Sequence, residues 1–156
     1  MAETKTLKVG DPAPDFRLKD QNKQDVRLSE LKGRKVLLSF HPLAWTPVCS
    51  EQMKSLEKNF EVFAKWNTVA LGLSVDHVPC KNAWAKELGV KSISLLADFW
   101  PHGGVAKQYG IFREEGGFSE RANIIVDEDQ KIAFIKIYEI PKLPDIEEII
   151  EFLKKK

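Results

Sequence analysis

Val36-Leu37-Leu38-Ser39-Phe40 is a short, mostly apolar run without alternation, the pattern of a strand buried on both faces. After it, Cys49, Met53, Leu56, Phe60 and Phe63 recur at spacings alternating between four and three. That period predicts an amphipathic helix with Cys49 on its buried stripe. Thr46 is a good N-cap, and Pro47 suits the first helical position, where a missing N–H costs nothing. The helix then runs through Ser50 to about Trp66, with Cys49 in its first turn. Thr68 to Val75 is a second near-continuous apolar run. Strand, helix, strand at this spacing predicts a βαβ unit with two parallel, buried strands.

The flanking patterns are shorter. Val9 to Phe16, carrying Pro12 and Pro14, reads as an extended entry segment. Phe16 and Leu18, then Val26 and Leu28, alternate with polar neighbours around Gln21-Asn22-Lys23-Gln24, as in a hairpin. Ser29 is placed to cap a single turn through Leu31, ended by Gly33. Beyond the βαβ unit, Asp76 or a neighbour starts a helix with Pro79 near its first turn. Cys80, Trp84 and Leu88 share one face of it, with Ala83 beside them, and Gly89 ends it. Ile93 to Ala97 reads as a strand, Asp98 to Gly104 as a turn, Val105 to Tyr109 as a brief helix stopped by Gly110, and Gly116-Gly117 as a loop. Ala122 to Val126 and Ile132 to Tyr138 flank a polar turn, as in a second hairpin. Asp145 and Glu148 have the spacing of a capping box for a last helix, whose stripe is Ile146, Ile149, Ile150 and Leu153. This order predicts an α/β sandwich of mixed sheet and covering helices.

Composition narrows the functional classes. At 156 residues the chain reads as one domain, 1–156, large enough to bury a core without staples. A net charge of +1 gives no reason to expect nucleic acid or an anionic membrane as partner. The Lys154-Lys155-Lys156 run reads as a solvated helix end. No apolar stretch is long enough to span a bilayer, and Met1 to Val9 lacks the apolar segment of a secretory signal. Two cysteines are too few for a disulfide framework; they suit a reducing compartment and a redox or catalytic use. The expected location is cytoplasmic. His41, His77 and His102 are scattered, without metal-ligand spacing, and no glycine-rich phosphate loop follows a strand. No metal and no cofactor beyond a reductant is expected.

Cys49 carries the candidate chemistry. Unpaired amides and the positive end of the helix dipole point at the first turn and favour a thiolate there, the reactive form of cysteine. The same periodicity also fits an inert core thiol. The spacing Pro42-x-x-x-Thr46-x-x-Cys49, between a strand and a capped helix, resembles the active-site signature of the peroxiredoxins, thiol-dependent peroxidases with a thioredoxin-like fold. Gly10-Asp11-Pro12-Ala13-Pro14-Asp15-Phe16 is similar to the family's N-terminal pattern, and the similarity runs from about Val9 to Leu153.

The resemblance implies a thioredoxin-like three-layer sandwich, with a mixed central sheet, flanking helices and an N-terminal β extension. It implies a peroxide substrate, hydrogen peroxide or an organic hydroperoxide, that oxidises Cys49 to a sulfenic acid. Thr46 would bind a peroxide oxygen besides capping the helix, and Pro42 would shape the loop and shield Cys49 from water. In the family an arginine opens a strand of pattern Arg-Ala-x-φ-φ-φ-Asp (φ apolar). Arg121 matches it, followed by Ala122-Asn123-Ile124-Ile125-Val126-Asp127. It would be a fixed cation beside the sulfur; without the resemblance it reads as a surface residue. His41 stands where the family usually has an aromatic, and Gln52 where many members carry glutamate; either can hydrogen-bond near the site. A homodimer is also implied. Exposed aromatics such as Trp45 or Trp100 would serve it, though either suits a core equally.

Cys80 lies in the first turn of its helix, after the second strand of the βαβ unit. Both helices therefore begin near one edge of the sheet. The expectation is that Cys80 resolves the sulfenic acid as a disulfide with Cys49, recycled by thioredoxin or a similar dithiol. The alternative is a one-cysteine enzyme with Cys80 packed in the core. A thiol–disulfide oxidoreductase on the same fold usually needs Cys-x-x-Cys, whereas Ser50-Glu51-Gln52 follows Cys49. A non-enzymatic module would fit the loss of Cys49, Thr46 or Arg121, and all three are present.

Overall fold

The computed structural model describes residues 3–155. Met1 and Ala2 of the polar leader, and the last lysine of the 154–156 run, lie outside the described residues. A five-stranded sheet forms the middle layer. Its strands are β3 (Lys35–Phe40), β4 (Thr68–Ser74), β5 (Ser94–Ala97), β8 (Arg121–Val126) and β9 (Ile132–Tyr138), in the order β5-β4-β3-β8-β9. As the apolar runs predict, β3 and β4 pair in parallel, Phe40 opposite Leu73. β8 runs antiparallel to β3, with Ala122 opposite Phe40. Every residue of β3 and β8 is buried, so two helical layers must cover the sheet.

One face carries α1 (Pro47–Lys58), α2 (Phe60–Lys65), α3 (Val78–Leu88) and α5 (Ile146–Lys154). Met53, Leu56, Phe63, Trp84, Ile149 and Leu153 pack there on Leu37, Ala70, Leu95 and Ile125. The other face is covered by α4 (Gly104–Gln108) and the N-terminal segment, through Phe16, Leu28, Val105 and Tyr109. The N-terminal hairpin, β1 (Arg17–Lys19) with β2 (Asp25–Arg27), forms as expected. The entry segment is stitched to β9 by hydrogen bonds between Asp11 or Gly10 and Ile132. These three layers and this extension are the architecture the resemblance implies.

Three local readings are corrected. The single helix to Trp66 is two, because the Asn59 side chain donates to the Ser55 carbonyl at 2.8 Å and competes with the backbone ladder. The phase slips there, leaving Phe60 41 % exposed. Ser29 does not cap its turn, which begins at Leu28; its amide donates to Asp15 instead. The capping box is half formed: Asp145 accepts from the Glu147 amide, while the Glu148 carboxylate is drawn to Lys136 and Tyr138. The Gly116-Gly117 loop forms as expected and closes a small hairpin, β6 (Phe112–Arg113) with β7 (Phe118–Ser119), whose strands are too short for a periodic signal. No helix among the described residues is long and apolar enough to cross a membrane.

Candidate active site

β3 ends at Phe40, and the loop to α1 is held at two points. The His41 amide extends the ladder to the Leu73 carbonyl, and the Ala44 amide donates to the Asp76 carboxylate at 2.8 Å. Asp76 also accepts from the Ser74 hydroxyl, so the end of β4 fixes the loop. Within the loop Trp45 has φ +71°, a left-handed conformation costing about 1 kcal/mol in a side chain other than glycine. Pro42 is buried and Thr46 half-buried.

Thr46 occupies the N-cap position, as expected, but makes no side-chain cap. Its hydroxyl donates to the Leu43 carbonyl at 2.8 Å, a nearer partner across the tight loop. No side-chain oxygen of Thr46 therefore competes for the first-turn amides of α1. Cys49 is the third residue of that turn and is fully buried. A helix N-terminus with open amides favours an anion at this place.

Arg121 opens β8, one residue past the Ala122–Phe40 pair, and so lies beyond the end of β3 where the loop turns. Its Nη1 donates to Cys49 Sγ at 3.3 Å and to Gln52 Oε1 at 2.7 Å, and its Nε to the Ile140 carbonyl at 2.7 Å. It is 2 % exposed, so the surface reading of this residue is wrong. Gln52, one helical turn after Cys49, is buried beside it.

Pattern reading missed Lys81. It is fully buried and donates from Nζ to His41 Nε2 at 3.1 Å, while His41 Nδ1 donates to the Ser39 carbonyl at 3.3 Å. Burial, and then the Lys81 charge, pushes the His41 imidazolium well below its ordinary range, so the ring is a neutral acceptor. Burial likewise lowers Lys81, to about 8, against the opposing pull of Asp76. A signal was present: Lys81, Trp84, Ala85 and Leu88 fit i, i+3, i+4, i+7. The buried side chains of α3 are Val78, Lys81, Trp84 and Ala85; Cys80 sits at the margin of that stripe, not in it.

The burial of Lys81 has a measurable consequence. Between about 8 and 10.5 the unfolded chain holds the Lys81 proton and the folded chain has released it, so stability rises with pH. Wild type is expected to gain on Lys81→Met across that window by up to about 3 kcal/mol. Urea unfolding of both proteins at stepped pH checks this; a constant difference would exclude a buried ammonium.

Both cysteines are free. Burial, then the neighbouring Asp76 charge, pushes the Cys80 thiol up; its Sγ donates to Asp76 Oδ1 at 3.8 Å. Asp76, which also holds the Ala44 amide, thus connects the loop to the first turn of α3. One turn further on, Trp84 Nε1 donates to Ser50 Oγ at 3.2 Å. The structure therefore gathers Pro42, Thr46, Cys49 and Arg121 around one loop, with Cys80 on the adjoining helix end.

The AhpC/TSA family profile matches residues 9–135. The chain is 41 % identical over 132 residues to alkyl hydroperoxide reductase E of Mycobacterium tuberculosis, covering 84 % of this chain and 86 % of that one. Among solved structures, the reduced 2-Cys peroxiredoxin of Plasmodium vivax aligns with a TM-score of 0.85 at 26 % identity, over 94 % of this chain and 80 % of that chain. Peroxidoxin BcpB of Mycobacterium tuberculosis aligns with a TM-score of 0.83 at 27 % identity, over 96 % and 97 %. A sulfur at a helix N-terminus under an arginine, on this sheet and with these relatives, places the chain in the AhpC/TSA family, the thioredoxin-fold peroxiredoxins, and makes it a thiol-dependent peroxidase.

Proposed function

We propose that Cys49 is the peroxide-reacting thiol, and that Arg121 Nη1, 3.3 Å from its sulfur, is the observation that carries this. The thiolate attacks one oxygen of a hydroperoxide. A sulfur–oxygen bond forms, the oxygen–oxygen bond breaks, and the second oxygen leaves as water or an alcohol with the proton that the attacked oxygen gives up. The guanidinium stabilises charge on sulfur first and on the leaving oxygen later. Thr46 turns its hydroxyl from Leu43 toward the peroxide, a small rotation for a group that donates and accepts. Pro42, buried in the loop, keeps water from the sulfur. Hydrogen peroxide and small organic hydroperoxides are the substrates this covered site suits.

Cys80 then resolves the sulfenic acid: a Cys49–Cys80 bond forms and water leaves. Asp76, shared by the Ala44 amide and the Cys80 thiol, and the Trp84–Ser50 bond support the approach of the two first turns. A disulfide needs Cα atoms within about 7 Å, which helix ends reach by local opening. Thioredoxin or a similar dithiol returns both thiols. Leu43 and Trp45 are exposed in the loop, and Phe99 and Trp100, the latter 80 % exposed, present an apolar surface after β5; exposed apolar side chains of this kind suit a homodimer. His77 stacked on Phe99 at 4.4 Å continues it toward α3.

One experiment covers these steps. Reduced protein receives one equivalent of peroxide and is analysed by intact mass and non-reducing digestion. The expected product is a Cys49–Cys80 disulfide, replaced by Cys49 sulfenate in Cys80→Ser. Wild type that holds sulfenate with Cys80 free would make this a one-cysteine enzyme. Native mass measurement on the same samples reports the dimer.

A further inference from the structure

Gln52 is an amide in contact with a guanidinium, and an amide accepts through only one of its two ends. The orientation shown is the productive one: Oε1 accepts from Arg121 at 2.7 Å. Nε2 points into the sheet and donates to Ser39 Oγ at 2.7 Å and to the Phe40 carbonyl at 3.2 Å. The Ser39 hydroxyl can accept because its own proton goes elsewhere, to Asn123 Oδ1 at 2.8 Å. Asn123 is oriented in turn: its Nδ2 faces Tyr138 Oη at 3.5 Å, the longest link. Tyr138 donates to Glu148 Oε1 at 2.8 Å. Burial raises the Glu148 carboxyl, but hydrogen bonds from Lys136 and Tyr138 outweigh it and hold the group below its ordinary range.

The links run one way. A carboxylate that only accepts stands at one end, and a guanidinium that only donates stands at the other, against Cys49. Each intermediate group donates toward Glu148 and accepts from the Arg121 side, so no link has donor facing donor. Ser39, Gln52, Arg121 and Asn123 are buried, so water is not at hand to reverse a member.

We propose that Ser39 and Asn123 are positioning residues for the peroxidase reaction: paired across β3 and β8, they fix the donor–acceptor direction of the chain and thereby hold the Gln52 carbonyl, and through it Arg121, on Cys49. Without them the Nε2 end of the Gln52 amide is kept by the Phe40 carbonyl alone, at 3.2 Å. An amide that turned would set Nε2 against the Arg121 fork and displace the guanidinium from the sulfur. This rests on Cys49 being the reacting thiol.

The test uses Ser39→Ala and Asn123→Leu in a Cys80→Ser background, so that one thiol titrates. Thiolate absorbance against pH and the single-turnover rate with hydrogen peroxide are measured, with a melting curve for each. Both variants are expected to move the titration midpoint up by about half a unit or more and to slow oxidation about tenfold. Asn123→Leu is the sharper of the two, because it leaves Ser39 and Gln52 in place and removes the acceptor that orients them, together with the 3.5 Å link to Tyr138. Asn123→Ala repeats it where leucine does not fold. The proposal is overturned unless both positions move the midpoint; a lower melting temperature with an unmoved midpoint assigns them a bracing role only. The titration needs no peroxide. A parent protein that fails to react at Cys49 while the midpoints shift would overturn the nucleophile and spare the chain.

Discussion

Cys49→Ser is expected to abolish peroxide reduction while the protein stays folded. A serine hydroxyl fills nearly the volume of the thiol, and the Arg121 donor 3.3 Å away still finds an acceptor. Packing against Met53 and the sheet is kept, so the melting curve should move little. Chemistry is lost because an alcohol, unlike a thiol, supplies no soft, readily formed anion to attack a peroxide. The loss should exceed about 10³-fold, down to the background of peroxide with reductant alone. Peroxide consumption and circular dichroism on the same preparation check it. A folded serine variant with near wild-type turnover would move the chemistry away from Cys49.

Arg121→Met is the second large effect. Methionine has a comparable reach and fills the same channel at the end of β8, but it leaves the sulfur without its cation. Removing a donor aimed at developing charge typically costs about 10²-fold, and that is the fall expected in the rate with peroxide. Thiolate absorbance at fixed pH should fall as well, because the neutral form no longer competes with a stabilised anion. Stability is a separate matter. Gln52 Oε1 and the Ile140 carbonyl lose their donor, each a cost of about 1–3 kcal/mol, while a buried guanidinium no longer needs desolvation. Arg121→Lys tests the fork: it keeps the charge but cannot serve Cys49, Gln52 and Ile140 together, so it should fall between the two. Equal rates for Arg121→Met and wild type would remove Arg121 from the reaction.

Legibility followed how local each signal was. β3 and β4 were readable because strands buried on both faces must be apolar without a break, and Thr46-Pro47 marks the start of α1 by backbone chemistry alone. Cys49 was readable as a first-turn residue for the same reason. Arg121 was not: one cation at a strand start has no period, and only the family pattern singled it out. Lys81 was hidden because a lysine is assumed to face water, so the stripe of α3 was drawn one residue early, through Cys80. Glu148 was misread because its partners, Lys136 and Tyr138, come from β9, and a capping box weighs only neighbours along the chain. The break at Asn59 was missed because the apolar stripe resumes at Phe63 as though the helix continued.

Gly72 faces α1 from the middle of β4, opposite Ser39. A methyl group there would overlap the Met53 sulfur and press on Leu95. The bare Cα at position 72 is therefore what lets the Met53 side chain of α1 lie directly on β4. Cys49 rides on α1 and Arg121 on the sheet, so the gap between them inherits its calibration from that empty place. Changes at position 72 would be read out as reactivity at a sulfur they never touch.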